Sequence, residues 1–318
     1  MNRPVGVPSD TPSWRAGRHE DVVARARGWL ASPALEELLD ALQAPSPARA
    51  GPQALRAWSA SALDTRRGAE RRDAAVATWP PDWVQALLQA AGPLGLRRTA
   101  PPTRRSYDCG LVLGGATTGN RLRVTLAAEL VETGTHFDEL AGLSAERPLS
   151  AREHESELDS ADDQTEWRNL ARYLHRAFGP LRESSSDRGG AGWSGWRDEA
   201  LRDAEGHRLR LLVAPAPDPE RRAGTADAVR FFLSRTSVER RSSVLVLTSA
   251  IYAPYQFFTA APLLLKGGVR DVELIGTPTA DEGAPNLLAQ RLGQEMHAAI
   301  EAASRLVAAL PARAQDNA

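Results

Sequence analysis

The sequence predicts an α/β protein: a Rossmann-like, doubly wound, mainly parallel sheet of about five strands behind an all-helical N-terminal subdomain. Three observations predict it. Beyond residue 105, short and almost continuously apolar runs alternate with amphipathic segments. Turn residues bound those runs, and the preceding residues carry helical periodicity alone. Strands that are apolar on both faces belong in a parallel sheet covered on both sides, and right-handed crossovers supply the helices that cover it.

Composition narrows the class. At 318 residues, 42% hydrophobic and 25% charged, the chain reads as a soluble globular protein of one large domain or two moderate ones. A formal net charge of -1 gives no general argument for nucleic acid or an acidic membrane as partner. Cys109 is the only cysteine, which excludes an intrachain disulfide and any multi-thiolate metal site. His136, His154, His175 and His207 show no metal-like spacing, so no metal site is expected. Neither an apolar leader nor a window near the roughly 20 apolar residues of a spanning helix is seen, so a cytoplasmic location is expected.

Taken in order, residues 1–17 are proline-rich and poor in large apolar groups, and are expected to be a disordered tail. The subdomain 18–104 follows. Its helices are read at 19–43 with a break at Ser32-Pro33, then at 53–63, 67–79 and 82–91, with Asp82 as the N-cap of the last. Trp29, Trp58, Trp79 and Trp83 are read as packing groups before they are read as an aromatic-ligand site. Pro101-Pro102 marks the boundary.

The domain 105–310 then repeats strand and helix. Strands are predicted at 109–113, 137–143, 207–214, 243–248 and 269–275, and helices at 121–131, 165–178, 225–233, 255–265 and 285–310. Two stretches interrupt the rhythm. The run 152–163 is acidic and solvated; Glu153, Glu155, Glu157 and Asp159 could recruit a cation, but a solvated face is favoured. The run 182–206 is rich in serine and glycine and is read as a flexible insertion, with Trp193 and Trp196 making a mobile lid conceivable. Residues 311–318 are a second disordered tail.

In an open parallel sheet, ligands bind beyond the carboxyl ends of the strands, where the strand order reverses. After the first strand, Gly114 and Gly115 let a ligand approach the backbone. Asn120 closes that loop, and Arg121 and Arg123 follow, read as first-turn residues whose positive charge a bound phosphate or carboxylate would justify. The pattern is neither GxGxxG nor GxxxxGK[ST], and a tight turn that simply needs glycine is the competing reading. After the second strand come a turn at Gly142, Arg147 as an anion ligand, and Glu166 opening the next helix. The third strand is followed by Arg221 and Arg222, either of which could clamp an anion. Thr225 is the expected N-cap there, and Asp227 the residue at N2 beside its hydroxyl. The fourth leads to Thr248, Ser249, Tyr252, Tyr255 and Gln256, polar and aromatic groups suited to a flat ring. Glu166 and Asp227 are the candidate catalytic groups if chemistry occurs. No GxSxG or HExxH sequence is present.

Several of these features stand in a familiar order: VLGG at 112–115, a following arginine-bearing helix, the glycine at 142, Glu166 in TEWRNLARYL, Thr225-Ala226-Asp227, and Thr248-Ser249. Over about residues 107–276 the chain resembles the bacterial DUF218 family, the YdcF, SanA and ElyC-like group, as a divergent member. Ala228 stands where that family has asparagine, Tyr252 where it has histidine, and Tyr255 or Gln256 where it has arginine. The resemblance implies a Rossmann-like fold that binds S-adenosylmethionine or another nucleotide-like, phosphate-bearing ligand, with the reaction left open. Two rival readings stand beside it. One is a non-catalytic ligand-binding or interaction module whose helical unit meets a protein partner. The other is a transferase acting on a nucleotide sugar or envelope precursor, which would want an acidic metal pair at a strand end.

Overall fold

The computed structural model describes residues 11–66, 78–149, 165–218, 221–236, 242–280 and 284–309. Its frame is one eight-stranded sheet in the order β1-β8-β7-β2-β3-β6-β5-β4. The five central strands, β2 (Ser106–Leu113), β3 (His136–Ala145), β6 (Arg208–Ala214), β7 (Ser243–Ser249) and β8 (Asp271–Thr277), run parallel. They lie where the apolar runs of the sequence place them. In chain order the strands step from β2 outward through β3 to β6, then return to β7 and step outward to β8 on the other side. The reversal therefore falls between β2 and β7, and the helices that follow these strands divide between the two faces.

Three further strands lie outside the expected five. β1 (Trp14–Ala16) pairs antiparallel with β8, so these residues of the expected tail belong to the sheet. Trp14 supplies the reason: its ring meets Phe257 and Phe258 at centroid distances of 5.5 and 5.6 Å, a burial large enough to order a short segment. β4 (Arg182–Gly189) and β5 (Trp196–Arg202) form a hairpin that extends the sheet from β6, where a flexible insertion was expected. β5 carries the alternation of a half-covered strand only weakly. Its register is held by the bidentate pair of Arg210 with Asp198, at 2.7 Å for both bonds, and by Arg235 over the Trp196 ring at 4.0 Å.

Two hydrophobic layers flank the sheet. On one face, α5 (Thr117–Glu132) and α6 (Glu166–Phe178) bury Val124, Ala127, Leu130, Leu170 and Leu174 against the strands. On the other, α7 (Thr225–Arg235), α8 (Ala253–Lys266) and α9 (Pro285–Ala308) share a single cluster with the N-terminal helices. These are α1 (His19–Leu30), α2 (Pro33–Ala41), α3 (Pro52–Ala62) and α4 (Pro81–Ala90). The described residues of 18–104 thus share one core with this face of the sheet: Trp29 is buried, Trp58, Trp79 and Trp83 pack against the common cluster, and Trp29 Nε1 donates to Leu94 O at 3.1 Å.

Local chemistry sets most helix ends. Ser32 accepts from the Leu35 N–H and Pro33 opens α2, which makes the break in the predicted 19–43 helix. The N-cap of α4 is Pro80, so Asp82 lies inside the first turn. The predicted helix at 67–79, the acidic run at 152–163, residues 1–10 and the carboxyl tail from 310 lie outside the described residues, apart from 78–79. Among the described residues no helix is long and apolar enough to cross a membrane.

Candidate functional site

The carboxyl ends of the parallel strands open into a cleft of about 1370 Å³. Its floor is the end of β2 and β3, its walls are the first turns of α5, α7 and α8, and its far side is α9. Among the described residues nine arginines line it: Arg66, Arg121, Arg123, Arg147, Arg221, Arg222, Arg230, Arg291 and Arg305. Among the described residues four carboxylates do, Asp64, Glu166, Glu295 and Glu301. In a chain whose formal net charge is -1, this is a local concentration of positive charge, and arginine cannot shed its proton to relieve it.

Gly114 lies where two elements close on the backbone. A Cβ there would stand 2.7 Å from the Leu143 carbonyl oxygen and 2.7 Å from Glu166 Oε1, so only glycine fits. Glu166 opens α6 and is 5% exposed. Its Oε2 accepts from Arg147 Nε at 2.9 Å and its Oε1 from Ser144 Oγ at 3.2 Å, while the Glu166 N–H donates to Arg147 O at 2.8 Å. The carboxylate is therefore a fixed anion spent on two neighbours, and it holds Arg147 at the cleft wall. That arrangement suits positioning better than proton transfer to a ligand.

Helix α5 begins at Thr117, four residues before the expected start, because the Gly115 N–H is satisfied by Asn120 Oδ1 at 2.8 Å. Arg121 and Arg123 consequently stand beyond the first turn. Arg123 is 2% exposed and turns inward: Nη1 donates to Leu113 O at 2.6 Å and Gly114 O at 2.7 Å, Nε reaches Ser249 Oγ at 3.2 Å, and the guanidinium lies 5.4 Å from the Tyr252 ring centre. It bolts the ends of β2 and β7 together at the reversal, where a ligand was expected. Asn120 is likewise buried and structural, donating to Glu166 O and Asn169 Oδ1.

Three more expected site residues sit elsewhere. Gly142 is inside β3 and not in a turn; its missing side chain lets α6 approach, since a Cβ would meet Leu170 at 3.1 Å and Leu174 at 3.2 Å. Thr248 is completely buried in β7 and donates to Gln256 Oε1, which occupies that oxygen of Gln256. Asp227 does not line the cleft. The N-cap of α7 is Gly224, not Thr225, and Asp227 is at N3, where its Oδ2 accepts the Gly224 N–H at 2.9 Å and Arg221 at 3.1 Å, and its Oδ1 accepts Arg230 at 3.3 Å. It caps a helix and neutralises two arginines.

Gly114, Gly115, Arg121, Arg123, Arg147, Glu166, Arg222, Thr225, Ser249, Tyr252 and Gln256 do share the cleft. Tyr255, expected with Tyr252 and Gln256 after the fourth strand, lines it too. Tyr255 enters beside Thr225, and the Thr225 hydroxyl bonds the phenol. Burial, with Glu295 and Asp227 nearby, raises the Tyr255 pKa against the opposing pull of Thr225 and Arg222, so the phenol keeps its proton. The polar stripe Gln294, Glu295 and His297 on α9 was missed in the sequence; its helical spacing among apolar residues was the available signal. Gln294 Oε1 accepts from Thr65, and Glu295 pairs with Arg66 at 2.7 Å.

His297 Nδ1 lies 3.1 Å from Ser59 Oγ and its Nε2 lies 4.0 Å from Glu301. The order serine, histidine, carboxylate looks like a nucleophile with its base. Ser59 is completely buried and also donates to Arg56 O at 3.0 Å, so the set ties α3 to α9 instead. Burial lowers the His297 pKa, with Asp64 and Glu301 opposing.

Fold and cleft together define an α/β protein with a basic, open crevice at the carboxyl edge of a mostly parallel sheet. No protein-family model matches the chain, and no solved structure matches it. It is similar to uncharacterized protein Mb3814 of Mycobacterium bovis and to uncharacterized protein Rv3785 of Mycobacterium tuberculosis, at 28% identity over 209 residues in each case. The match covers 60% of this chain and 56% of each relative, so the chain spans about half the length of the curated relatives it matches.

Proposed function

We propose that the chain binds a phosphate-bearing, nucleotide-like small molecule in this cleft, on a Rossmann-like core of the DUF218 type. One observation carries the reading: among the described residues, nine arginines and four carboxylates line a crevice at the carboxyl ends of parallel strands. A cleft lined by one sign of charge focuses the field on its contents, and guanidinium groups match phosphate oxygens in pairs. The same excess ranks the candidates. S-adenosylmethionine carries a cationic sulfonium, so nucleotides and other phosphate esters stand ahead of it. Glu166 and Asp227 already satisfy neighbours within the chain, so the reading is of a binding site, with any reaction supplied by the bound molecule or a co-substrate.

The test is a thermal-shift panel of nucleotides, nucleotide sugars, polyprenyl phosphates and S-adenosylmethionine on the full chain. A ligand at about 100 times its Kd stabilises the folded state by about 2.7 kcal/mol. A shift with phosphate esters that fades with added salt is expected. No shift from any phosphate-bearing compound would remove the proposal.

A further inference from the structure

Helix α8 carries a proline in its interior, Pro262, and that proline lies in the wall of the cleft. In an α-helix each carbonyl points along the axis at the N–H of the residue four positions ahead. Proline has no N–H, so the Phe258 carbonyl loses its helical donor. Phe258 lines the cleft as well, but its side chain faces the other way. The ring is 3% exposed and meets Trp14 at 5.6 Å, Trp29 at 5.9 Å and Phe257 at 5.9 Å in the core behind the helix. What Phe258 presents to the cleft is therefore main chain.

The helical spacing agrees. Tyr255, Thr259, Pro262 and Leu263 recur at intervals of three and four along α8, so they form one stripe, and all four line the cleft. The Phe258 carbonyl points at Pro262 on that stripe, with the half-buried Thr259 next to it. No described residue outside the helix donates to the Phe258 oxygen, and the Thr259 hydroxyl makes no hydrogen bond among the described residues. A main-chain acceptor in a cleft wall is met by water while the cleft is open. A ligand that displaces this water has to bring a donor of its own, or it leaves the oxygen bare at the cost of a lost hydrogen bond.

Building on the anion-binding reading, we infer that the Phe258 carbonyl, freed by Pro262, selects among phosphate-bearing ligands for those that carry a hydrogen-bond donor, a base N–H or a sugar hydroxyl, away from the phosphate. The Thr259 hydroxyl stands beside it as a second polar contact. This narrows the ligand class. Nucleotides and nucleotide sugars carry such donors, whereas a prenyl phosphate covers the oxygen with hydrocarbon and leaves it unmet.

The experiment measures binding by calorimetry on the full chain, in the parent and in Pro262→Ala. The probes are adenosine monophosphate, purine riboside monophosphate, which lacks the base amine, dideoxyadenosine monophosphate, which lacks the sugar hydroxyls, and farnesyl phosphate. Alanine restores an N–H, so the helix satisfies the Phe258 oxygen internally; as the better helix former it should hold or raise the melting temperature. In the parent, adenosine monophosphate is expected to bind about tenfold more tightly than the analogue without the relevant donor, the size of one hydrogen bond. Loss with the purine riboside assigns the donor to the base, and loss with the dideoxy compound assigns it to the sugar. In Pro262→Ala that preference should vanish, while farnesyl phosphate binds at least as well as to the parent. A lower affinity for adenosine monophosphate in a variant of equal or higher melting temperature is not a folding defect. Equal affinity for donor-bearing and donor-lacking phosphates in the parent, or a preference that survives Pro262→Ala, would overturn the inference and leave the anion site standing. If no phosphate ester binds the parent chain, the anion reading itself fails and takes this inference with it.

Discussion

The two ends of the central strands treat charge in opposite ways. At the amino ends each buried acid is matched. Glu273 accepts from Thr103 N at 2.9 Å, Thr103 Oγ1 at 3.0 Å and Tyr107 Oη at 2.6 Å. Asp271 is held by Arg15 through two bonds and by Arg104 at 3.0 Å, and Asp108 accepts from the backbone and hydroxyls of both Ser242 and Ser243. At the carboxyl ends, the described residues that line the cleft include nine arginines and four carboxylates. Paired charge at one end closes the sheet. Like charges gathered at the other cost self-repulsion.

The largest effect expected from breaking this contrast is at Glu273. Glu273→Ala strands the Tyr107 hydroxyl and two Thr103 donors in a buried place, at a cost of about 3 kcal/mol. Its measure is the urea midpoint, with phosphate affinity unchanged. A variant that lost phosphate binding in step with stability would show that the two ends are not separate in function.

How far this contrast was legible in the sequence depends on what made each residue buried. Apolar runs such as Ser243 to Thr248 announce strands because burial on both faces leaves no polar alternation, and their carboxyl ends follow from the topology. That was enough to bring Gly115, Arg147, Arg222, Thr225 and Ser249 to one cleft. The direction of a side chain was not legible. Arg123 and Asp227 read as ligand groups, yet each satisfies backbone atoms of its own chain, and nothing in spacing distinguishes a guanidinium that turns back from one that turns out. Gly142 has the same ambiguity, since glycine serves a turn and a close helix approach equally. The hairpin of β4 and β5 was hidden because exposed edge strands lose the apolar signal, and the place of α9 in the cleft was hidden because its polar stripe faces Thr65 and Arg66 across a long sequence separation.

A smaller effect sharpens the comparison through acid. Burial alone would raise the Asp108 carboxyl, but the bonds from Ser243 and Ser242 outweigh it and hold the group below its ordinary value. A depressed carboxyl adds stability that is present above its unfolded value, near pH 3.9, and is lost as pH falls through the lower folded value. Asp108→Asn should therefore narrow its deficit against the parent chain as the medium is acidified below about pH 4. The check is a series of denaturation midpoints from neutral to acid. A deficit that stayed constant with pH would mean that these serine bonds do not favour the ionised form.

The smallest effect on stability, and the most informative for function, is expected at Arg291. It lies exposed near the start of α9, lines the cleft, and makes no ion pair or hydrogen bond among the described residues. Removing a solvent-facing charge with no such contact among the described residues changes stability by no more than about 0.5 kcal/mol. If anything Arg291→Gln relieves repulsion from the other arginines, so the melting temperature should hold or rise slightly. Phosphate affinity should nevertheless fall, and its dependence on salt should become shallower, because one cation fewer contributes to the field over the crevice. An arginine at the paired end has the reverse expectation: Arg15, bonded twice to Asp271, contributes to stability and lies outside the field that the ligand meets. Matching losses at the two positions would mean that surplus and paired charge serve one purpose, and the division between the two ends of the sheet would fail.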